Sequence, residues 1–378
     1  MKKTRKKILV LTDDKPWGHR SIAKAIFNYL KENENNFEVE LAEIKAETGF
    51  LSDLYVFAYR YTPASNRVFH EISKNEVIRD LVKETSGINL KKIKNEVERF
   101  NPDLIISAYF LHSQSLAVWR KKENKKFKLW TIVADPWSIN PISFVKDADL
   151  SLVYDEMGMK EAMKYGIEKD KIWATGWWTR QSMYQKYDRG MARKKLGFDD
   201  DRPVIFVGGG SLGTNSLPKL LPVILMLKKR VGFVINTGTD KLAFNLVKQF
   251  LRVFRRLRKD DLVQIKHLGW IDNMAEVLGA SDIVFGKAGP NFLFDVVAAE
   301  KPFVAMTHIG GQEDGNIDLI RKKKLGWVRE GNGEIAQFLD EYLERPKYFQ
   351  EKYKKNIMAE AKKNKETLGK ILDRIKKE

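Results

Sequence analysis

Val204-Ile205-Phe206-Val207-Gly208-Gly209-Gly210-Ser211-Leu212-Gly213 decides the fold. Four consecutive apolar residues fit a buried strand, the glycines fit a tight turn, and Leu217–Lys229 behind them fits a helix. Glycines let backbone approach a ligand closely, and a helix N-terminus offers free N–H groups and positive potential. A phosphate is the natural guest, although the same residues also make a tight turn with no ligand. No Gly-Lys-Ser/Thr follows, so this is not a Walker loop, and the spacing departs from the dinucleotide fingerprint.

The strand-then-helix unit recurs on both sides. Downstream, Val231–Asn236, Val263–His267, Ile283–Phe285 and Phe303–Met306 are strand-like, with helical stretches between them. Upstream, Ile8–Leu11 precedes an apolar-periodic Ile22–Leu30, and Leu104–Ser107, Leu129–Val133 and Leu150–Tyr154 are further short strands. Such alternation predicts an α/β chain with parallel sheets covered by helices on both faces. The pattern restarts near residue 202, after the polar stretch Arg189–Asp201. The expected organisation is a Rossmann-like domain over 1–188, a second over 189–345, and a charged helical tail over 346–378 able to pack back on the first. Apolar positions in that tail are sparse, among them Ile357, Leu368 and Ile371.

With 378 residues the chain is long enough for two ordinary cores, and 43% hydrophobic content excludes a disordered polymer. The absence of cysteine excludes disulfides, zinc-thiolate sites and cysteine catalysis. No apolar run approaches the roughly 18–20 residues of a spanning helix. The basic start, Met1 to Lys7, precedes an apolar segment too short for an export core, so a cytoplasmic protein is expected. A formal charge of +18 suits polyanions of any kind: nucleic acid, anionic headgroups or phosphorylated substrates. It also suits nothing more than solvated lysine-rich helix faces.

The densest cluster of polar residues follows the later strands. It comprises His267-Leu268-Gly269-Trp270-Ile271-Asp272-Asn273, then Gly286-Lys287-Ala288-Gly289-Pro290-Asn291 with Asp295, then Gly310-Gly311-Gln312-Glu313-Asp314-Gly315-Asn316. In open α/β sheets ligands sit beyond the carboxyl ends of the strands, so these loops are expected to converge. A lysine beside a backbone turn can hold phosphates, a carboxylate at Asp295 can hold ribose hydroxyls, and Gln312 and Glu313 can bond sugar hydroxyls.

These motifs resemble the donor half of glycosyltransferase family 28, and within it the monogalactosyldiacylglycerol synthase and processive diacylglycerol glucosyltransferase group, through Lys-Ala-Gly-Pro and Gly-Gln-Glu-x-Gly-Asn. The resemblance implies a GT-B architecture, two doubly wound domains with a cleft between them, and a UDP-sugar donor. It implies that backbone at Ile271 reads the uracil and that Asp295, where the family has Glu, holds the ribose. Gly209, Gly210, Ser211, Lys287, Gly289 and Pro290 would line the phosphates, and Gln312, Glu313 and Asn316 would face the sugar. No metal and no cofactor are implied.

Thr12-Asp13-Asp14-Lys15-Pro16-Trp17-Gly18-His19-Arg20-Ser21-Ile22-Ala23-Lys24-Ala25-Ile26 resembles the family's acceptor-side Gly-Gly-Gly-His element, with Pro16 and Trp17 in place of two glycines. Inverting transfer needs a base for the acceptor proton and positive charge near the departing diphosphate. His19 at a helix N-terminus suits either role, and the local field favours neutral imidazole. In Thr131-Ile132-Val133-Ala134-Asp135-Pro136-Trp137-Ser138-Ile139-Asn140-Pro141, Asp135 matches the family, while Asn140 stands where a histidine is expected. Asn cannot act as a base, which leaves His19 or Asp135 to move the proton. Asp135 also reads as a turn residue before proline.

Leu51–Phe69 holds Tyr55, Tyr59, Arg60 and Arg67, a mixture suited to an acceptor mouth or a membrane interface. Aromatics beside arginines also suit single-stranded nucleic acid, but no nucleic-acid motif accompanies them, and no nucleic-acid partner is expected. The expected partners are a UDP-sugar, a lipid acceptor and an anionic membrane surface, with the protein peripheral on the inner face. Two other readings stay open: a UDP-sugar 2-epimerase of the same fold, and a UDP-sugar-binding homolog without catalysis.

Overall fold

The computed structural model describes residues 5–15, 18–33, 37–45, 67, 71, 90–198, 201–208 and 216–378. They form two compact units. The first collects Met1–Gln181, Ile309–Gly315 and Asn364–Glu378, and the second Ser182–His308 and Asn316–Lys363.

The first unit is built on a six-stranded sheet of β1 (Lys6–Thr12), β2 (Phe37–Glu43), β3 (Leu104–Ser107), β4 (Lys128–Ile132), β5 (Leu150–Val153) and β6 (Ile172–Ala174). Its order is β2-β1-β3-β4-β5-β6, with every pair parallel. Near-continuous apolar strands such as Ile8–Leu11 are what a sheet covered on both faces requires. From β1 the chain runs outward to β2 through helix Gly18–Glu32, then returns to place β3 on the other side of β1. That reversal makes β1/β3 the switch point where ligands gather in doubly wound sheets.

The tail is divided: its earlier part, 346–363, belongs to the second unit, and Asn364–Glu378 completes the first. Helix Thr367–Lys377 buries Leu368, Ile371, Leu372 and Ile375. The Asn364 Oδ1 accepts the Trp177 N–H at 2.9 Å, and the Thr367 hydroxyl donates to the Thr175 carbonyl at 2.8 Å. Gly176, at φ +94°, has no room for a Cβ, which would stand 2.4 Å from the Thr367 Oγ1. The Thr175-Gly176-Trp177-Trp178 segment is thus the seat of the tail, with both indoles buried.

The second unit repeats the plan with β7 (Val204–Gly208), β8 (Val231–Asn236), β9 (Val263–Leu268), β10 (Ile283–Lys287), β11 (Phe303–Thr307) and β12 (Gly326–Val328). Its order is β12-β11-β10-β7-β8-β9, again all parallel. Its switch point is β7/β10, where Gly208 and Gly286 are register partners. A Cβ on Gly286 would come within 2.6 Å of the Gly208 carbonyl oxygen, so glycine is what allows this close approach. Helix Arg189–Leu196 is fastened to the sheet by a buried ion pair, Arg193 to Asp282 at 2.5 Å, with the other Asp282 oxygen taken by Arg189. Asp282 also accepts the Val204 N–H at 2.7 Å, so the pair is fully hydrogen-bonded, as a buried charge must be.

Candidate functional site

At the switch point of the first sheet, helix Gly18–Glu32 sets His19 against the chain leaving β3. The His19 Nδ1 lies 2.8 Å from the Ala108 carbonyl oxygen. A carbonyl only accepts, so Nδ1 carries the proton and Nε2 keeps its lone pair. The edges of Tyr109, 5.3 Å away, and Phe110, 6.4 Å away, fix the ring. Burial holds the imidazole below its usual pKa, while the Asp135 carboxylate and the Ala108 bond pull the other way.

Asp135 follows β4. Burial raises its carboxyl above the usual range; His19 and a hydrogen bond donated by the Gln312 side chain lower it, and Glu313 raises it. A base, a carboxylate to steady its protonated form, and an amide to orient that carboxylate are the parts a proton-transfer site needs.

The loop bearing Gln312 is held by its own groups. The Glu313 Oε2 accepts the Ile309 N–H at 2.8 Å, and the Asp314 Oδ1 accepts the Gly311 N–H at 3.0 Å. Glu313 is buried, and one of its oxygens is committed to the loop. Arg67, an exposed side chain, pairs with Asp314 at 3.2 Å. Tyr55, Tyr59 and Arg60 lie outside the described residues. Asn140 caps the short turn Pro141–Ser143, its Oδ1 accepting the Ile142 N–H at 3.1 Å. The residue in the histidine's place is therefore a capping residue.

The second cluster sits at the carboxyl end of β10, in the other unit. Lys287 ends the strand, Gly289 caps helix Pro290–Ala298, and Pro290 occupies its first turn, where a missing N–H costs nothing. Asp295 lies on that helix, half-buried and with partners of its own. The Asn316 Nδ2 donates to the Ala288 carbonyl at 2.8 Å, bracing the Lys287–Gly289 turn, while its Oδ1 is buried with no hydrogen-bond partner among the described residues. Ile271 is half-buried just past β9. Gly209, Gly210 and Ser211 lie outside the described residues. The structure thus brings His19, Asp135, Gln312 and Glu313 together in the first unit, and Lys287, Gly289, Pro290 and Asn316 together in the second.

Two residues passed over in the sequence belong to this description. His112 is fully buried, neither ring nitrogen has a hydrogen-bond partner among the described residues, and Tyr109 packs edge-on to it at 4.9 Å. Burial, then the field of His19, pushes its pKa down to about 3. Asp13, directly after β1, is buried with one oxygen bonded by Thr12 at 3.2 Å and the other without a hydrogen-bond partner among the described residues. Burial pushes its carboxyl up to about 6.

The sequence holds an Asp-x-Asp at Asp147-Ala148-Asp149, and its carboxylates are engaged: Asp149 by Arg120 and the Leu129 N–H, Asp147 by Lys121 at 3.7 Å. A second, Asp199-Asp200-Asp201, falls largely outside the described residues.

Comparison with known proteins bears on the family and the fold. Residues 19–177 match the family described as monogalactosyldiacylglycerol (MGDG) synthase, and residues 204–370 match the glycosyltransferase family 28 C-terminal domain. A probable chloroplastic monogalactosyldiacylglycerol synthase of Glycine max is 23% identical, aligned over 94% of this chain and 69% of its own length. Monogalactosyldiacylglycerol synthase 1 of Arabidopsis thaliana, also chloroplastic, is 24% identical over 89% of this chain and 65% of its own. The chain thus spans about two thirds of the length of these relatives. Among solved structures, S. aureus MnaA with UDP superposes at a TM-score of 0.66 and 11% identity, covering 98% of this chain and 96% of that one. Anabaena HepE with UDP superposes at 0.59 and 15% identity, covering 98% of both. The fold is the two-sheet GT-B architecture of these neighbours. The chain is a glycosyltransferase whose residues 19–177 fit the monogalactosyldiacylglycerol synthase family and whose second half is a glycosyltransferase family 28 C-terminal domain.

Proposed function

We propose that this chain is an inverting, metal-independent transferase that moves a hexose, galactose in the first instance, from a UDP-sugar to the free hydroxyl of a diacylglycerol-type lipid. The acceptor oxygen attacks the anomeric carbon, the bond from that carbon to the β-phosphate oxygen breaks, and UDP leaves with the electron pair. The hydroxyl proton passes to the His19 Nε2, and Asp135 steadies the imidazolium. The observation that carries this reading is the His19 Nδ1–H bond to Ala108, which leaves Nε2 its lone pair on a ring that feels the Asp135 carboxylate. The names of the curated relatives support the sugar and the acceptor.

Residues 1–188 serve as the acceptor half and 189–345 as the donor half. Ile271 and Asp295 would hold the nucleoside, Gly209, Gly210, Ser211, Lys287, Gly289 and Pro290 the diphosphate, and Gln312, Glu313 and Asn316 the sugar. The protein works as a peripheral enzyme on the cytoplasmic face of a membrane, with Tyr55, Tyr59, Arg60 and Arg67 near the lipid. No helix among the described residues is long and apolar enough to cross a membrane. The test is a panel of radiolabelled UDP-sugars offered with membrane lipids. Label in a glycolipid supports the proposal; a folded protein that labels no lipid from any UDP-sugar ends it.

A further inference from the structure

Helix Lys241–Leu257 carries more apolar surface than its unit covers. Val247 and Phe254 are buried, and Ala243, Phe250 and Leu251 pack on the same core. At about 100° per residue, Leu242, Leu246, Val253 and Leu257 fall in a second stripe roughly 60° wide, beside the covered one. These four are 67%, 40%, 48% and 66% exposed. Met226, 78% exposed, lies close to the end of the helix: the Arg258 guanidinium, just past the helix, donates to the Leu225 carbonyl at 3.1 Å and to that of Leu227.

The rest of the helix surface is basic. Lys241, Lys248, Arg252, Arg255 and Arg256 are all exposed, and residues 241–257 contain no Asp or Glu. None of the five has an ion-pair partner among the described residues. A helix with an uncovered apolar stripe edged by unpaired cations has the charge and shape to lie in the headgroup layer of an anionic bilayer.

We infer that the uncovered face of helix Lys241–Leu257, with Met226, is a docking surface for an anionic lipid bilayer. It lies in the second unit, distinct from the Tyr55–Arg67 segment of the first. The leucines and the valine enter the acyl boundary while the arginines and lysines meet lipid phosphates. The surface gives a purpose to the lipid-acceptor reading, on which it rests for its biological setting only.

The test is flotation of the full chain, without UDP-sugar or acceptor, with vesicles of phosphatidylcholine alone and of phosphatidylcholine mixed with phosphatidylglycerol. The wild type is expected to float with the anionic vesicles and to be released by salt. Each exposed basic residue contributes roughly a fivefold gain in partitioning, so Arg255→Gln with Arg256→Gln should weaken it about 20- to 30-fold. Leu242→Gln with Leu257→Gln should weaken it at least about tenfold, with melting and UDP binding unchanged. Wild-type flotation by both double variants overturns the inference, as does a wild type that floats with neither vesicle. A dimer in sedimentation that Leu242→Gln with Leu257→Gln dissociates also overturns it, assigning the face to a second copy. Helix-dependent flotation without sugar transfer to lipid leaves the surface standing and removes the acceptor reading. Transfer to detergent-dispersed lipid by a chain that never floats does the reverse.

Discussion

Gly315→Ala sets two physical effects against each other. Gly315 is the second residue of helix Asp314–Lys323, where alanine is preferred over glycine by about 1 kcal/mol. Propensity alone predicts stabilisation. Sterics predict the opposite, because an added Cβ would stand 2.4 Å from the Trp137 carbonyl carbon, 2.6 Å from the Ser138 nitrogen and 2.7 Å from its Oγ. Two of these are backbone atoms and cannot rotate away. Carbon contacts are comfortable at about 3.5–4.0 Å, so a gap of roughly 1 Å must open between the 309–315 loop and the 137–138 backbone. That backbone lies two residues beyond Asp135, and the loop carries the Gln312 that bonds it.

Overpacking costs about 1–3 kcal/mol, and a contact short by roughly 1 Å against backbone belongs at the upper end, above the helix gain. A misplacement of about 1 Å in a reacting constellation costs about 100-fold in rate. We therefore expect Gly315→Ala to lower kcat/KM about 100-fold and to lower Tm by a few degrees. Initial rates of glycolipid formation in mixed micelles, followed by mass spectrometry, and thermal melts of the same preparations check both numbers. A raised Tm with unchanged kcat/KM refutes the reasoning.

His19→Gln removes the proposed base and should cut kcat by about 10²- to 10⁴-fold while calorimetric UDP affinity holds; retained kcat assigns the proton elsewhere. Burial depresses His19, so the acid limb of the kcat/KM profile should lie below the usual 6.5, and Asp135→Asn, removing the charge that raises it, should move that limb further acid as the plateau falls. Asp13 bears on stability: its folded pKa of about 6 exceeds the ordinary 3.8, so between those values the folded chain holds a proton the unfolded chain has released. Stability therefore falls as pH rises through that window. Asp13→Asn should gain up to about 3 kcal/mol near pH 8 and nothing near pH 3, read from melts at the two pH values. Asn316→Asp replaces the donor to Ala288 with an acceptor, and calorimetry should find UDP-sugar affinity lower by about 5- to 150-fold, the worth of one buried hydrogen bond lost.

The sheets were legible because covered parallel strands are written as apolar runs such as Ile8–Leu11 and Val204–Val207. Three strands were not. β2 is an edge strand, Phe37-Glu38-Val39-Glu40-Leu41-Ala42-Glu43, whose glutamates interrupt the run, and β6 and β12 have three residues each. His112 escaped notice because helix Phe110–Glu123 buries Ser113, Gln114 and Ser115 along with its apolar residues. That mixture erases the helical periodicity which marks a buried face. The bond from His19 to Ala108 joins residues 89 positions apart, and no local pattern encodes it. Lys-Ala-Gly-Pro was readable as a turn, but the brace from Asn316 to Ala288 needed coordinates.

The most direct test of the account is product analysis after incubation with UDP-galactose or UDP-glucose and diacylglycerol vesicles. The account predicts a monohexosyl diacylglycerol whose anomeric configuration is inverted relative to the donor, released with one equivalent of UDP and lost in His19→Gln. A UDP-sugar epimerised without any acceptor, or a hexosyl lipid with the donor's configuration retained, would contradict it.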